Sequence, residues 1–211
     1  MAMSWRSLRP ALLLFAAHIA AQGTGDDVDR QYCIVGSGPS GVQLGHFLLH
    51  AGRDYVILEK NAEAGSFFQS FPRHRQLISL NKRFVRKGRS KDFALRHDWN
   101  SLLDVREEVN QTTPMTKRSK DLFPHADILA EYLREFAEEQ ASHIEYGVTV
   151  RSIERLGEAT GQAGIFVLQL EKDGLMKFQA TLRCRVVVVA TGLSEPVGAG
   201  LAVDGVEHVT G

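Results

Sequence analysis

Cysteine is nearly absent: the 211 residues hold two, Cys33 and Cys184. Two thiols exclude a small scaffold stapled by disulfides. With no C-x-x-C pair, the chain also lacks the adjacent, accessible thiols of a dithiol redox motif. Each cysteine lies in or beside an apolar stretch, and the expectation is two small buried hydrophobes that take no part in thiol exchange. Net charge is absent as well. Twenty-five basic and 25 acidic residues cancel, so the balance gives no call for nucleic acid. The histidines follow no metal-ligand spacing, and no G-x-S-x-G elbow offers acyl transfer. No apolar run reaches the ~20 residues of a membrane-spanning helix.

The longest such run, "ALLLFAAHIAA" (11–21), has a different meaning. Arg6 and Arg9 precede it, and it leaves through small residues before Gln22 and Gly23. A basic start, a short apolar middle and a small-residue exit describe a secretory signal peptide over residues 1–21. Residues 22–30 then form a short linker, and the mature chain begins near Gln22 in a secretory lumen. An uncleaved N-terminal helix is the alternative. Asn110-Gln111-Thr112 is a sequon in a polar stretch, which makes Asn110 a glycosylation acceptor in such a lumen.

Glycine is where the chain becomes specific. "YCIV" (32–35) is a short β-branched strand candidate, and Gly36, Gly38 and Gly41 follow with G-x-G-x-x-G spacing. From Pro39 the residues Val42, Leu44, Phe47, Leu48 and Ala51 fall on one helical stripe, and Gly52 ends it. "DYVILE" (54–59) is the next strand. Strand, glycine turn, helix and strand make one βαβ unit, the context in which this spacing binds a dinucleotide. Gly36 permits the tight turn, Gly38 lets backbone approach a pyrophosphate, and Gly41 allows close helix packing. The helix N-terminus supplies N–H groups and a partial positive charge. Glu59, closing the second strand, can accept from a ribose diol, and its charge disfavours a 2′-phosphate there.

FAD and NAD share that fingerprint. A second feature, "CRVVVVATGLSEP" (184–196), bears on the choice. Four consecutive valines imply a strand buried on both faces. Ala190-Thr191-Gly192 then gives a small-residue exit where a backbone can approach a ligand.

With "GSGPSG", "AGRDYVILEK", "GSFFQSFPRHRQLISLNKR", "LRHDWNSLL" and "VVVVATGLSEP", the chain from about Gln31 onward resembles the flavin-monooxygenase-like flavoproteins that bind two dinucleotides. Within them it is similar to the FAD-dependent oxidoreductase domain-containing group of the endoplasmic reticulum. The resemblance implies an α/β, Rossmann-like FAD-binding domain over 31–211 with a parallel sheet and a small β-meander. It places Gly36, Ser37, Gly38, Pro39, Ser40 and Gly41 on the FAD pyrophosphate, Glu59 on the adenosine ribose and Lys60 at the adenosine edge. Phe67 and Phe68 of "GSFF" line the flavin, although Ser66 replaces a family glycine there. Ser79 and Asn81 reach the isoalloxazine, the Val150 backbone binds adenine, and Ala190, Thr191 and Gly192 close the site. Full-length relatives carry a second G-x-G-x-x-G for NADPH and a returning C-terminal strand. Neither occurs here, so the expectation is a domain incomplete at its C-terminus, without hydride delivery. The resemblance further implies an ER-lumenal role in protein degradation, with misfolded glycoproteins, degradation adaptors or an ER disulfide reductase as partners.

The remaining segments fit this frame. "PHADILAEYLREFAEEQA" places Leu129, Tyr132, Leu133, Phe136 and Ala137 on one helical face. "IEYGVTVRSIERL" reads as strand, and residues 164–184 read as a hairpin about Asp173-Gly174. Residues 104–120 show no periodicity and read as a surface loop. Arg73 to Lys91 carries eight basic residues and no acid, either a solvated face or phosphate neutralisation near a flavin. His74 and His97 have no partner spacing that makes them catalytic. Two functions stay open: an NADPH-dependent FAD oxidoreductase, and a flavin-bound module that recruits partners with little turnover. A methyltransferase Rossmann domain is a third class, but it leaves the ATG exit unexplained.

Overall fold

The computed structural model describes residues 28–84, 97–157, 164–172 and 178–193. The expected signal segment over 1–21, residues 85–91 of the basic run, the turn expected at Asp173-Gly174 and Pro196 lie outside them.

β1 (Arg30–Val35) runs into the glycine turn, α1 (Pro39–His50) follows, and β2 (Tyr55–Glu59) returns parallel to β1. Pro39 opens α1, where its missing N–H costs nothing, and Gly52 at φ +62° ends it. All five residues of β2 are buried. The short helices α2 (Phe67–Ser70) and α3 (Met115–Arg118) precede α4 (Ala126–Glu138). The His125 side chain caps α4 by accepting from Asp127 N at 3.3 Å. A 3₁₀ turn and β3 (Ile144–Tyr146) join the parallel side. β4 (Val148–Leu156), β5 (Ile165–Lys172) and β6 (Phe178–Val189) then form an antiparallel meander. The order is β3-β2-β1-β6-β5-β4, one mixed sheet whose two portions share the parallel β1–β6 ladder. This is the expected Rossmann-like α/β sheet with its meander.

Two cores flank the sheet. One packs α1 and α4 through Val42, Leu129, Tyr132, Leu133 and Phe136 against Ile34, Tyr55 and Ile57. The expected face of α4 is buried in full. The other lies under the meander, with Cys33, Val56, Leu58, Val148, Leu168 and Cys184. No helix of the described residues is long and apolar enough to cross a membrane.

Four expectations need correction. Cys33 and Cys184 are fully buried as expected, but they form a disulfide across β1 and β6, 151 residues apart in sequence. Spacing could not show it, because strand adjacency made the pair. The four valines are not buried on both faces: Val186 is 38% and Val189 64% exposed. β6 leaves β5 at Cys184, and beyond it pairs only with β1 among the described residues. On α1 the fully buried side chains are Val42 and His46, whereas Phe47 and Ala51 are exposed and Ala51 is the C-cap. Finally, the 104–120 segment is more ordered than a plain loop. Asp104 accepts from Thr112 N at 3.0 Å and from Arg106 Nε at 2.9 Å, and Met115 is fully buried.

Candidate dinucleotide cleft

The two glycine-bearing exits meet. Gly36, at φ +104°, lies so close to Ala190 that a Cβ there would stand 2.7 Å from the Ala190 carbonyl oxygen. Ala190 N donates to Val35 O at 2.8 Å, and Gly36 N donates to Leu58 O at 2.8 Å. The ends of β1, β2 and β6 thus form one floor. A cleft of about 1060 Å³ opens over it, lined by Gly36, Gly38, Pro39, Ser40, Glu59, Lys60, Phe67, Phe68, Val150, Ala190, Thr191 and Gly192. This is the crevice at the carboxyl ends of strands where open α/β sheets bind ligands.

The glycines differ in what they permit. At Gly41 a Cβ would stand 2.0 Å from Gly36 O, so this glycine closes the helix onto the turn itself. At Gly38 a Cβ meets nothing within 4 Å. The turn leaves that space open on the cleft side. No side chain caps α1, and Gly38, Pro39 and Ser40 line the cleft, so the N–H donors of this helix N-terminus stand at its edge. That donor set fits the pyrophosphate of a dinucleotide.

Glu59 has a role that spacing alone did not show. It is buried, and Oε2 accepts from Ser37 N at 2.7 Å and Ser37 Oγ at 2.9 Å, while Oε1 accepts from Asn61 N at 2.9 Å. The carboxylate therefore braces the glycine loop as well as edging the cleft. Ser37 itself is fully buried, and its carbonyl accepts from Gly65 N at 3.2 Å. Gly65 needs its freedom, at φ +69° against Leu133, whereas Ser66 sits in ordinary helical backbone at φ −53°. The serine in "GSFF" thus costs the loop nothing. Phe67 is 40% exposed and edge-on to Phe68, with ring centroids 5.3 Å apart. Val150 stands where the β4–β5 register shifts.

Ser79 and Asn81 do not line this cleft. Asn81 is buried and donates from Nδ2 to Ser119 O at 2.8 Å, and the Ser79 carbonyl accepts from Asn100 Nδ2 at 3.3 Å. His74 and His97 are exposed and stand apart from it. Asn110 is exposed, and Arg106 donates to the Thr112 hydroxyl of its sequon at 2.6 Å.

A second polar cluster has no residue spacing that marks it in the sequence. His46 is fully buried, and its Nε2 accepts from Val105 N at 3.1 Å. Its Nδ1 faces Glu139 Oε2 at 3.2 Å, and His50 Nε2 lies 3.2 Å from Glu139 Oε1. These three donor atoms come within 4.8 Å of one another, close enough for a metal ion. The chemistry argues against one. Accepting at Nε2 puts the neutral ring's proton on Nδ1, the atom that would face the ion. The Arg106 guanidinium is also 3.5 Å from Glu139. Burial holds His46 below its ordinary range, with Asp104 and Glu139 opposing and His50 and Arg106 reinforcing. The cluster is a polar joint between α1, the 103–112 segment and the end of α4.

Residues 33–201 match the pyridine nucleotide-disulphide oxidoreductase family, and the chain belongs to it. Two curated relatives share its sequence in detail, both called FAD-dependent oxidoreductase domain-containing protein 2. The zebrafish (Danio rerio) protein is 40% identical over 185 residues, 88% of this chain and 25% of its own length. The mouse (Mus musculus) protein is 36% identical over 167 residues, 79% of this chain and 24% of its own. The chain thus spans about a quarter of these relatives. Solved structures share the fold. Bacillithiol disulfide reductase from Staphylococcus aureus superposes with a TM-score of 0.52 at 18% identity, covering 77% of this chain and 38% of that one. OTEMO in complex with FAD and NADP gives 0.56 at 14% identity, covering 86% and 28%.

Proposed function

We propose that the cleft holds the ADP half of FAD and that the chain is the flavin-binding portion of an NADPH-dependent, monooxygenase-like oxidoreductase. The observation that carries this reading is the contact between Gly36 and Ala190, which brings both cofactor loops to one floor. In this reading the N-terminal N–H groups of α1 bind the pyrophosphate. Glu59 accepts from the ribose, Lys60 covers the adenosine edge and Val150 offers its backbone to adenine. Bound FAD supplies the redox chemistry, and the chain positions and tunes it. The test is purification of the 211-residue chain with added FAD. Flavin absorbance that co-elutes with protein and is displaced by ADP supports the assignment, and flavin that elutes free counts against it.

We further propose residence in the ER lumen and a part in ER-associated degradation. The buried Cys33–Cys184 disulfide supports an oxidising compartment, since such bonds persist in secretory spaces and are rare in the cytosol. The exposed sequon at Asn110 is consistent with it. A second reading, a flavin-bound adaptor with little turnover, is favoured by exposed apolar side chains at Ile78, Phe84, Trp99 and Leu122. Anaerobic NADPH separates the two in a full-length relative: bleaching of the flavin indicates the enzyme, and an unchanged spectrum the adaptor.

A further inference from the structure

The disulfide sits at a junction. Cys184 is the residue at which β6 changes partners, opposite Phe166 of β5 on one side and Arg30 of β1 on the other. Before it, β6 belongs to the meander. After it, β6 is held by β1 through Val186 to Val189, two of which are exposed. That valine segment carries Ala190 to Gly36, so it determines whether the cleft has its second wall. Cys33 lies three residues before Gly36. The bond therefore ties together the two strands that end in the two cofactor loops, along the ladder joining the two portions of the sheet.

We propose that the Cys33–Cys184 disulfide is a redox latch on the nucleotide cleft: closed, it holds β6 against β1 and completes the site, and reduced, it lets the Val186–Val189 segment lift and release the nucleotide. Opening proceeds by thiol–disulfide exchange. A thiolate of an external dithiol attacks one sulfur and breaks the Cys33–Cys184 bond, forming a mixed disulfide. Its second thiol then attacks that bond. The two cysteines gain two electrons and two protons, and the external dithiol leaves as a disulfide. Both sulfurs are fully buried, so attack requires the valine segment to open first, a local event of the kind that exchange measurements detect. A nucleotide spanning Gly38 and Ala190 resists that opening. Linkage makes the effect reciprocal: the factor by which the closed bond tightens nucleotide binding is the factor by which nucleotide resists reduction of the bond.

This inference rests on the nucleotide assignment above, and the experiment separates the two. The 211-residue chain is equilibrated in glutathione redox buffers with and without saturating FAD. Acid quench, alkylation and mass spectrometry read the bond, gel filtration reads retained flavin, and far-UV circular dichroism reads the fold. The expected result is that the reduced chain keeps its circular dichroism but binds FAD roughly tenfold more weakly, within the usual range of such couplings. Saturating FAD should raise the midpoint value of [GSH]²/[GSSG] by the same factor, since each bond reduced consumes two glutathiones and releases one glutathione disulfide. A Cys33→Ala/Cys184→Ala variant that keeps its fold should match the reduced chain. Equal FAD binding by oxidised and reduced chains overturns the latch and leaves the nucleotide assignment standing. Global unfolding on reduction also overturns it, because the bond then holds the whole fold and not the cleft. Absence of FAD binding by the oxidised chain removes both readings.

Discussion

Gly38 and Gly41 stand three residues apart and respond differently to a methyl group. Gly38 has open space where its Cβ would lie and an ordinary backbone at φ −71°, so Gly38→Ala should leave the melting temperature nearly unchanged. The added methyl instead occupies the approach to the pyrophosphate, and FAD affinity should fall by roughly tenfold or more, about the 1.4 kcal/mol that a tenfold change represents. Gly41→Ala drives a Cβ into the Gly36 carbonyl at 2.0 Å. Overpacking against backbone costs roughly 3 kcal/mol, so this variant should lose stability as well as flavin. Paired thermal melts and flavin titrations check both, and a Gly38→Ala chain that binds FAD normally removes the cradle from its assigned place. Glu59→Ala strips a charged acceptor from Ser37 and Asn61. Hydrogen bonds to charged groups contribute ~1.5–3 kcal/mol each, so it should weaken FAD binding by roughly ten- to a hundredfold and also loosen the apo loop. Glu59→Gln should fall between. Glycine spacing made this loop legible in the sequence, since its chemistry is local. The Glu59–Ser37 brace and the disulfide were not legible, because each joins residues that only the sheet brings together.

α1 shows how an element can be located correctly while its buried face is misjudged. The stripe through Val42 and Leu48 pointed to a helix, and the helix is there, but tertiary packing turned His46 inward onto Phe136, with ring centroids 4.9 Å apart. Gly45 makes room for the fully buried Gln140, which donates to Val42 O at 2.9 Å and accepts from Tyr55 Oη at 3.2 Å. Neither partner lies within reach of a helical pattern. The valine run failed for a related reason: four apolar residues specify a strand, while their burial depends on which strands stand beside them. The joint at His46 predicts a pH dependence. Burial depresses its folded-state pKa below the ordinary 6.5, so the folded chain binds fewer protons than the unfolded one. Its contribution to stability is present above pH 6.5 and is lost as pH falls through the depressed value. Asp104 adds a second step in the same direction at lower pH. Burial raises its pKa, but hydrogen bonds from Arg106 and Thr112 outweigh that and hold it below the ordinary carboxyl range. Urea melts from pH 7.5 to 5 should show falling stability, and His46→Gln should flatten that slope. Equal slopes in the two proteins would remove His46 from the account.

At the scale of the molecule, the cleft is finished at one end. The glycine turn, Glu59, Val150 and the Ala190 exit converge on it, and of the four residues expected around the flavin, Phe67 and Phe68 line it while Ser79 and Asn81 lie outside its lining. Thr191, Gly192 and Leu193 at the far wall are exposed. Binding energy should therefore come from the ADP half of the cofactor, with the flavin ring adding little. The chain also contains a single G-x-G-x-x-G, at Gly36 to Gly41. Hydride transfer needs the donor carbon held within ~3–3.5 Å of the flavin, and such positioning accounts for roughly 7–11 kcal/mol of a barrier. The sequence has no second motif of this kind to cradle the phosphates of NADPH. Two results follow for the 211-residue chain. ADP should compete with FAD at closely similar affinity in a calorimetric displacement, and anaerobic NADPH should reduce the bound flavin no faster than it reduces free FAD. Comparison with a full-length relative, whose remaining three quarters lie outside this match, reads the same two quantities with a complete protein. FAD binding far tighter than ADP would mean that the 211 residues already grip the flavin ring. Rapid bleaching by NADPH would mean that they also deliver the hydride, and the division of labour derived from the cleft would then be wrong.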